Sequence, residues 1–226
     1  VRRLIEKYEM PVLGYTPEHN AYPYNYMIGS EAQRRDAVDY LKLSLEMAKE
    51  MGAEFVLTSP ANGGYLATYD QLWGRLEKNI QELGDYAAKL EIKLVVEALT
   101  PYESNFFTRA NDLVELFRRV DNPYVVGMCD IVPPFVQHES IMAYFDKLGN
   151  KMDHMHIIDG ENGSDTHMIP GEGNIPIKEM LYEMKRIGYD KTATLELVTN
   201  YINEPRFYAK RAIDNMRELM AEAGIV

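Results

Sequence analysis

Short apolar runs and helical periods alternate along this chain from one end to the other, and that alternation restricts the fold more than any other feature of the sequence. Runs of β type fall at about 11–15, 54–59, 92–97, 124–130, 153–158 and 192–197. Between them apolar residues recur at helical spacing: Val38, Leu41, Leu45 and Ala48 within 31–51, and Leu72, Leu76, Ile80, Leu83, Ala87 and Leu90 within 69–90. Ser30-x-x-Gln33 and Thr68-x-x-Gln71 open these two segments as capping boxes, and Gly52 stops the first. Further helices are expected at about 1–8, 111–120, 138–148, 177–187 and 205–223, the first with Leu4, Ile5 and Tyr8 on one side. Parallel strands need a crossover connection, so this pattern implies βα units around a parallel sheet. No repeat, low-complexity tract or linker interrupts it, and a single domain over 1–226 is expected.

The runs end on unusual residues. Leu94-Val95-Val96 runs into Glu97, Val125 to Cys129 into Asp130, His154-Met155 into His156, and Ala193-Thr194-Leu195 into Glu196. A strand buried on both faces has little use for a carboxylate. At the carboxyl ends of successive parallel strands of a barrel, these four would gather at the end where active sites lie. Three oxygen donors and one nitrogen suit one divalent cation of the Mn, Mg or Co type. The residues are 33, 26 and 40 positions apart in order, each about one strand-plus-helix unit. Taken singly, each is as well explained as a carboxylate capping the next helix or a satisfied core histidine; four in register make coincidence the poorer account.

Composition narrows the partners. A formal net charge of −11 disfavours a polyanionic partner, because nucleic-acid binding relies on Lys and Arg neutralising phosphates. A small neutral or cationic ligand is expected, with no nucleic acid and no membrane; no apolar run has transmembrane length and no signal-peptide pattern is present, which points to the cytoplasm. The single cysteine, Cys129, lies in an apolar run and reads as a buried structural thiol. Glycine- and proline-rich patches at Pro17–Pro23, Pro60–Gly64, Pro133–Pro134 and Gly160–Pro176 follow strands and are candidate active-site loops. A closed (β/α)₈ barrel needs eight strands and typically ~250 residues, whereas six strands are counted in 226 residues. The expectation is an α/β barrel lacking its first βαβ segment in this chain.

The strand-end set, together with Glu97-Ala-Leu-Thr-Pro-Tyr-Glu103-Ser-Asn105, His154-Met-His156-Ile-Ile-Asp159 and Asp165-Thr-His167-Met-Ile-Pro-Gly171-Glu-Gly173, resembles the xylose-isomerase-like TIM barrel superfamily, and within it the ketose 3-epimerases. Gly14-Tyr-Thr-Pro-Glu18, Tyr22-Pro-Tyr-Asn25 and Asn203-Glu-Pro-Arg206 extend the likeness over almost the whole chain. The resemblance implies that Glu97, Asp130, His156 and Glu196 bind one divalent metal ion, that Glu97 and Glu196 are the catalytic acid/base pair, and that Glu103 and His167 contact substrate. The implied reaction is 3-epimerisation of an amine-linked ketose such as fructoselysine, or of a related ketose, through an enediolate, by a homo-oligomer. Other readings are an aldose–ketose isomerase of the hydroxypyruvate isomerase type, an inosose dehydratase, an apurinic-site endonuclease or a non-catalytic sugar-binding module. Glu103 is also readable as a solvated loop residue, and His167 as a loop-ordering one. His154, two residues before His156 on the same strand face, is expected beside it as a packing or supporting residue. Tyr15, Tyr22, Tyr24, Tyr65 and Tyr102 are candidate pocket walls and Trp73 a core residue. One position departs from the family pattern: Pro133 stands where a histidine is common, so the loop 131–138 is expected to be reshaped, with Gln137 supplying the polar contact or none.

Overall fold

The computed structural model describes residues 1–19, 23–161, 163–198 and 201–225. The chain divides into two compact units, Val1–Gly127 and Met128–Val226.

The first unit contains α1 (Arg2–Tyr8), β1 (Gly14–Tyr15), α2 (Glu31–Met51), β2 (Phe55–Thr58), α3 (Tyr69–Leu90), β3 (Lys93–Val96) and α4 (Ala110–Arg119), and it ends within β4 (Val125–Asp130). Its strands are parallel and lie in chain order, with Gly14 opposite Phe55, Phe55 opposite Lys93, and Leu94 opposite Val125. β2 is buried along its whole length, as a strand covered on both faces must be. Both capping boxes form: Ser30 Oγ accepts from Gln33 N, Thr68 Oγ1 from Gln71 N, and each glutamine side chain returns the bond to the cap backbone. Gly52 ends α2 at φ 80°, a left-handed conformation that costs glycine nothing. The buried stripe of α2 is Ala37, Val38, Leu41, Ser44, Leu45 and Ala48; that of α3 includes Leu72, Trp73, Leu76, Ile80, Leu83 and Ala87. Trp73 is indeed core, edge-on to Phe106 at 5.2 Å between ring centroids. α3 approaches β4 at Gly84, where a Cβ would lie 2.5 Å from Val125 Cγ2. α1 buries no residue, and its Leu4 and Tyr8 face solvent.

The second unit continues from β4 through α5 (Val132–Val136), α6 (Met142–Leu148), a 3₁₀ turn (Gly149–Lys151), β5 (Met152–Ile157), α7 (Ile177–Ile187), β6 (Thr192–Leu195) and α8 (Pro205–Glu222). β5 and β6 are parallel, with His154 opposite Thr192 and His156 opposite Thr194. Cys129 is fully buried, as expected of a structural thiol. Three elements differ from the sequence reading. The Pro133-Pro134 loop coils into α5, because proline lacks only an N–H that the first turn of a helix leaves unpaired and already has the required φ. The helix expected over 138–148 accordingly starts later, at Met142. β6 is half exposed rather than buried, with Ala193 and Thr194 open to solvent.

Candidate functional site

Asp130, His156, His167 and Glu196 converge in the second unit. Asp130 is the last residue of β4; its Oδ1 accepts from Val132 N at 2.8 Å, which fixes the carboxylate against the start of α5. Its Oδ2 lies 3.6 Å from His167 Nε2. Glu196 directly follows β6, and its Oε2 is 3.2 Å from His156 Nδ1 and 3.3 Å from His167 Nε2. Asp130, His167 and Glu196 each offer one donor atom, all within 4.8 Å of one another. Two carboxylates and an imidazole this close, with the His156 imidazole beside them, are a donor set that fits a divalent cation.

The charges explain each other. Burial disfavours a charged His167, but the Asp130 and Glu196 carboxylates outweigh it and raise its pKa to about 11. Burial likewise opposes ionisation of Glu196, yet His156 and His167 hold the carboxyl well below the usual carboxylate range. The structure places His167 between the Asp130 and Glu196 carboxylates, within ion-pair distance of both.

His154 is where the strand period puts it. Its ring lies perpendicular to that of His156, 5.5 Å between centroids, and is clamped by two hydroxyls of β6: Nδ1 to Thr192 Oγ1 at 2.8 Å and Nε2 to Thr194 Oγ1 at 3.0 Å. Burial, followed by the neighbouring His156, depresses its pKa to about 4, so it is neutral at pH 7 and fixes the orientation of the ring beside it.

The loop that carries His167 is organised by Asp159, a residue to which the sequence reading gave no role. Asp159 is buried, and its carboxylate accepts from three backbone amides: Gly160 N and Ile175 N on Oδ1 and Gly171 N on Oδ2, each at 2.9 Å. An isolated antiparallel bridge joins Asp159 to Met168, the residue after His167. Gly173 is obligatory here, since a Cβ would fall 2.5 Å from both Asp159 Oδ1 and Gly160 O. Only its position two residues past β5 could have pointed to Asp159 in the sequence.

The other expected residues lie in the first unit. Glu97 immediately follows β3, is buried, and donates its backbone N–H to Thr58 O at 3.0 Å. Glu103 is exposed, and its Oε2 accepts from Thr100 N at 3.2 Å and Thr100 Oγ1 at 2.9 Å, folding it onto its own turn. Tyr65 and Tyr102 are open to solvent, Tyr24 stacks on Tyr40 at 4.1 Å, Tyr15 is half-buried, and Tyr22 lies outside the described residues. In the second unit, Gln137 donates its side-chain amide to Pro133 O at 3.1 Å, so part of its hydrogen bonding is spent within the reshaped loop.

His19 was also missed, for a lone histidine in a loop gives no periodic signal. It is buried with Nδ1 donating to Pro17 O at 2.7 Å, while Nε2 accepts from Ser59 N at 3.0 Å and the Thr58 hydroxyl at 2.8 Å. Burial lowers its pKa, and the neutral ring pins the segment before α2 to the end of β2.

The xylose isomerase-like TIM barrel family matches residues 1–219, and the chain belongs to that family. Fructoselysine 3-epimerase of Shigella flexneri is 47% identical over 222 residues, which cover 98% of this chain and 80% of the relative, and this likeness sets the chain among the ketose 3-epimerase group of sugar epimerases. Among solved structures, an L-ribulose 3-epimerase superposes with a TM-score of 0.82 at 14% identity, over 98% of this chain and 79% of that one. The protein IOLI, solved with a bound zinc atom, superposes at 0.77 and 18% identity, over 98% and 80% respectively. Both likenesses speak to the fold. No helix among the described residues is long and apolar enough to cross a membrane.

Proposed function

We propose that the protein is a divalent-metal-dependent 3-epimerase of an amine-linked ketose of the fructoselysine type. The observation that carries the chemistry is the cluster of Asp130, His156, His167 and Glu196 at the ends of β4, β5 and β6 and on the loop after β5. The 47% identity to fructoselysine 3-epimerase directs the choice of substrate. The cationic amine of such a ketose also suits a chain with a net charge of −11.

In this reading Glu97, Asp130, His156 and Glu196 hold the metal, and His167 stands beside them to contact substrate. When bound, the cation supplies positive charge against the enediolate that forms once a proton leaves the carbon beside the ketone. Inversion requires removal of that proton on one face and delivery on the other, and the two glutamates, Glu97 and Glu196, are assigned as base and conjugate acid. Glu196 is suited to the ionised role, being held well below the ordinary range by its two histidine neighbours. Asp130, braced by Val132 N, and His156, braced by His154, keep their orientation through the reaction.

The test is turnover in deuterated water of fructoselysine, free fructose and hydroxypyruvate, before and after chelation and with Mn²⁺ restored. The expected result is deuterium at C3 of the amine-linked ketose, lost on chelation and recovered with metal. Turnover without solvent label, undiminished rate after exhaustive chelation, or activity confined to hydroxypyruvate would each overturn the reading.

A further inference from the structure

A cavity of about 340 Å³ opens between the amino-terminal halves of α2 and α3, in the first unit. Arg34, Arg35, Arg75 and Lys78 line it with one carboxylate, Glu31, a concentration of positive charge that is out of keeping with the acidity of the whole chain. Arg35 is committed to Asp39 and Glu82, and Lys78 lies 3.6 Å from Glu31. Arg34 and Arg75 are different: neither has a carboxylate partner among the described residues. Each is anchored by one guanidinium nitrogen to a backbone carbonyl of the same short segment, Arg34 to Gly29 O and Arg75 to Met27 O at 2.8 Å. A guanidinium has five N–H donors, so both retain a free edge. They are also close enough that the charge of Arg34, after burial, depresses the pKa of Arg75. Two like charges brought together repel, and an anion between them relieves the repulsion.

A second observation concerns Gly74. Glycine is among the poorest residues for a helix interior, and Gly74 lies well inside α3 on the cavity wall. The other glycine of that helix, Gly84, is explained by its contact with Val125, but a Cβ at Gly74 would meet no atom within 4 Å. Packing does not require the glycine; its effect is an open wall beside the two arginines.

We infer that this cleft is a binding site for a phosphate-type dianion, either inorganic phosphate or the phosphate group of a small ester, held between the guanidiniums of Arg34 and Arg75. Paired guanidinium edges suit a tetrahedral oxyanion better than ammonium groups do. The volume exceeds that of a bare phosphate and reaches the lower end of small-ligand pockets. The inference is independent of the sugar chemistry proposed above.

Isothermal titration of the full chain at low ionic strength with potassium phosphate, and separately with glucose 6-phosphate, tests it. Saturable binding with a Kd of about 1 mM or tighter is expected. Arg34→Gln and Arg75→Gln should each weaken it at least about tenfold, the loss of one charge-assisted contact. Gly74→Glu keeps both arginines and places an internal carboxylate in the cleft, so it should abolish binding while circular dichroism reports an intact fold. That variant decides the matter if an arginine substitution fails to fold. Tighter binding of the ester identifies an ester ligand, and equal binding of the two probes identifies the free anion. Absence of saturable binding by either probe, or binding unchanged in Gly74→Glu, overturns the inference.

Discussion

Removing the Asp159 carboxylate should be among the most damaging single changes in the second unit. Asp159→Ala strips the acceptor from three backbone amides. Two of them, on Gly160 and Ile175, are buried, so water cannot replace the carboxylate without rearrangement, and an unsatisfied buried donor costs about 1–3 kcal/mol. The third, on Gly171, lies at the surface and finds water at little cost. The sum is about 4 kcal/mol, a large share of the ~5–15 kcal/mol by which domains are stable. At about 2–4 °C per kcal/mol for a chain of this size, the melting temperature should fall by about 8–16 °C. Asp159→Asn keeps one oxygen for the two buried donors and turns its NH₂ toward Gly171, so about half that loss is expected. Because the same carboxylate anchors the loop bearing His167, epimerase activity should fall in both variants, more in the alanine one. Urea unfolding followed by circular dichroism gives the stabilities. An alanine variant within about 1 kcal/mol of the parent would show that the three amides find other partners and would refute the accounting.

Two further outcomes follow from particular contacts. Gly84→Ala should destabilise by about 1–2 kcal/mol, because overpacking against Val125 exceeds the helix-propensity gain, whereas Gly74→Ala in the same helix should stabilise by up to about 1 kcal/mol; thermal melts that rank the pair the other way would contradict the packing argument. His154 has a folded pKa of about 4 against an ordinary 6.5, so the unfolded chain takes up its proton first and falling pH favours unfolding. Above pH 6.5 the residue should have no pH effect. Between pH 6.5 and 4 the metal-free parent should lose about 3 kcal/mol relative to His154→Gln, as read by urea titration, and a difference that stays constant over that window would contradict the assignment.

The parts of the fold that were legible are those encoded locally. Ser30-x-x-Gln33 and Thr68-x-x-Gln71 each satisfy their own helix start, so the sequence alone locates α2 and α3. Asp130 and Glu196 stood out because a charge at the end of an apolar run is conspicuous, and the structure brings them together with His156. The illegible parts depend on partners remote in sequence. α5 was hidden because Pro133-Pro134 serves a loop and a first helical turn equally well. The extent of His167's involvement depends on Asp159 gathering amides up to 16 residues away, a long-range arrangement without any periodicity. The Arg34–Arg75 cleft was missed for a similar reason: each arginine alone reads as an ordinary exposed helix residue, and only the packing of α2 on α3 juxtaposes them.

The two capping boxes bear on how this protein can change. Because each long helix is started by residues at its own first turn, the place where α2 or α3 begins does not depend on the connecting segment ahead of Ser30 or Thr68. Tyr65 and Leu66, exposed just ahead of Thr68, can therefore change while α3 keeps its start, whereas Tyr26 and Met27 ahead of Ser30 are core and accept hydrogen bonds from α3. Selection can then vary the exposed part of the loop ahead of α3 at little cost to the scaffold.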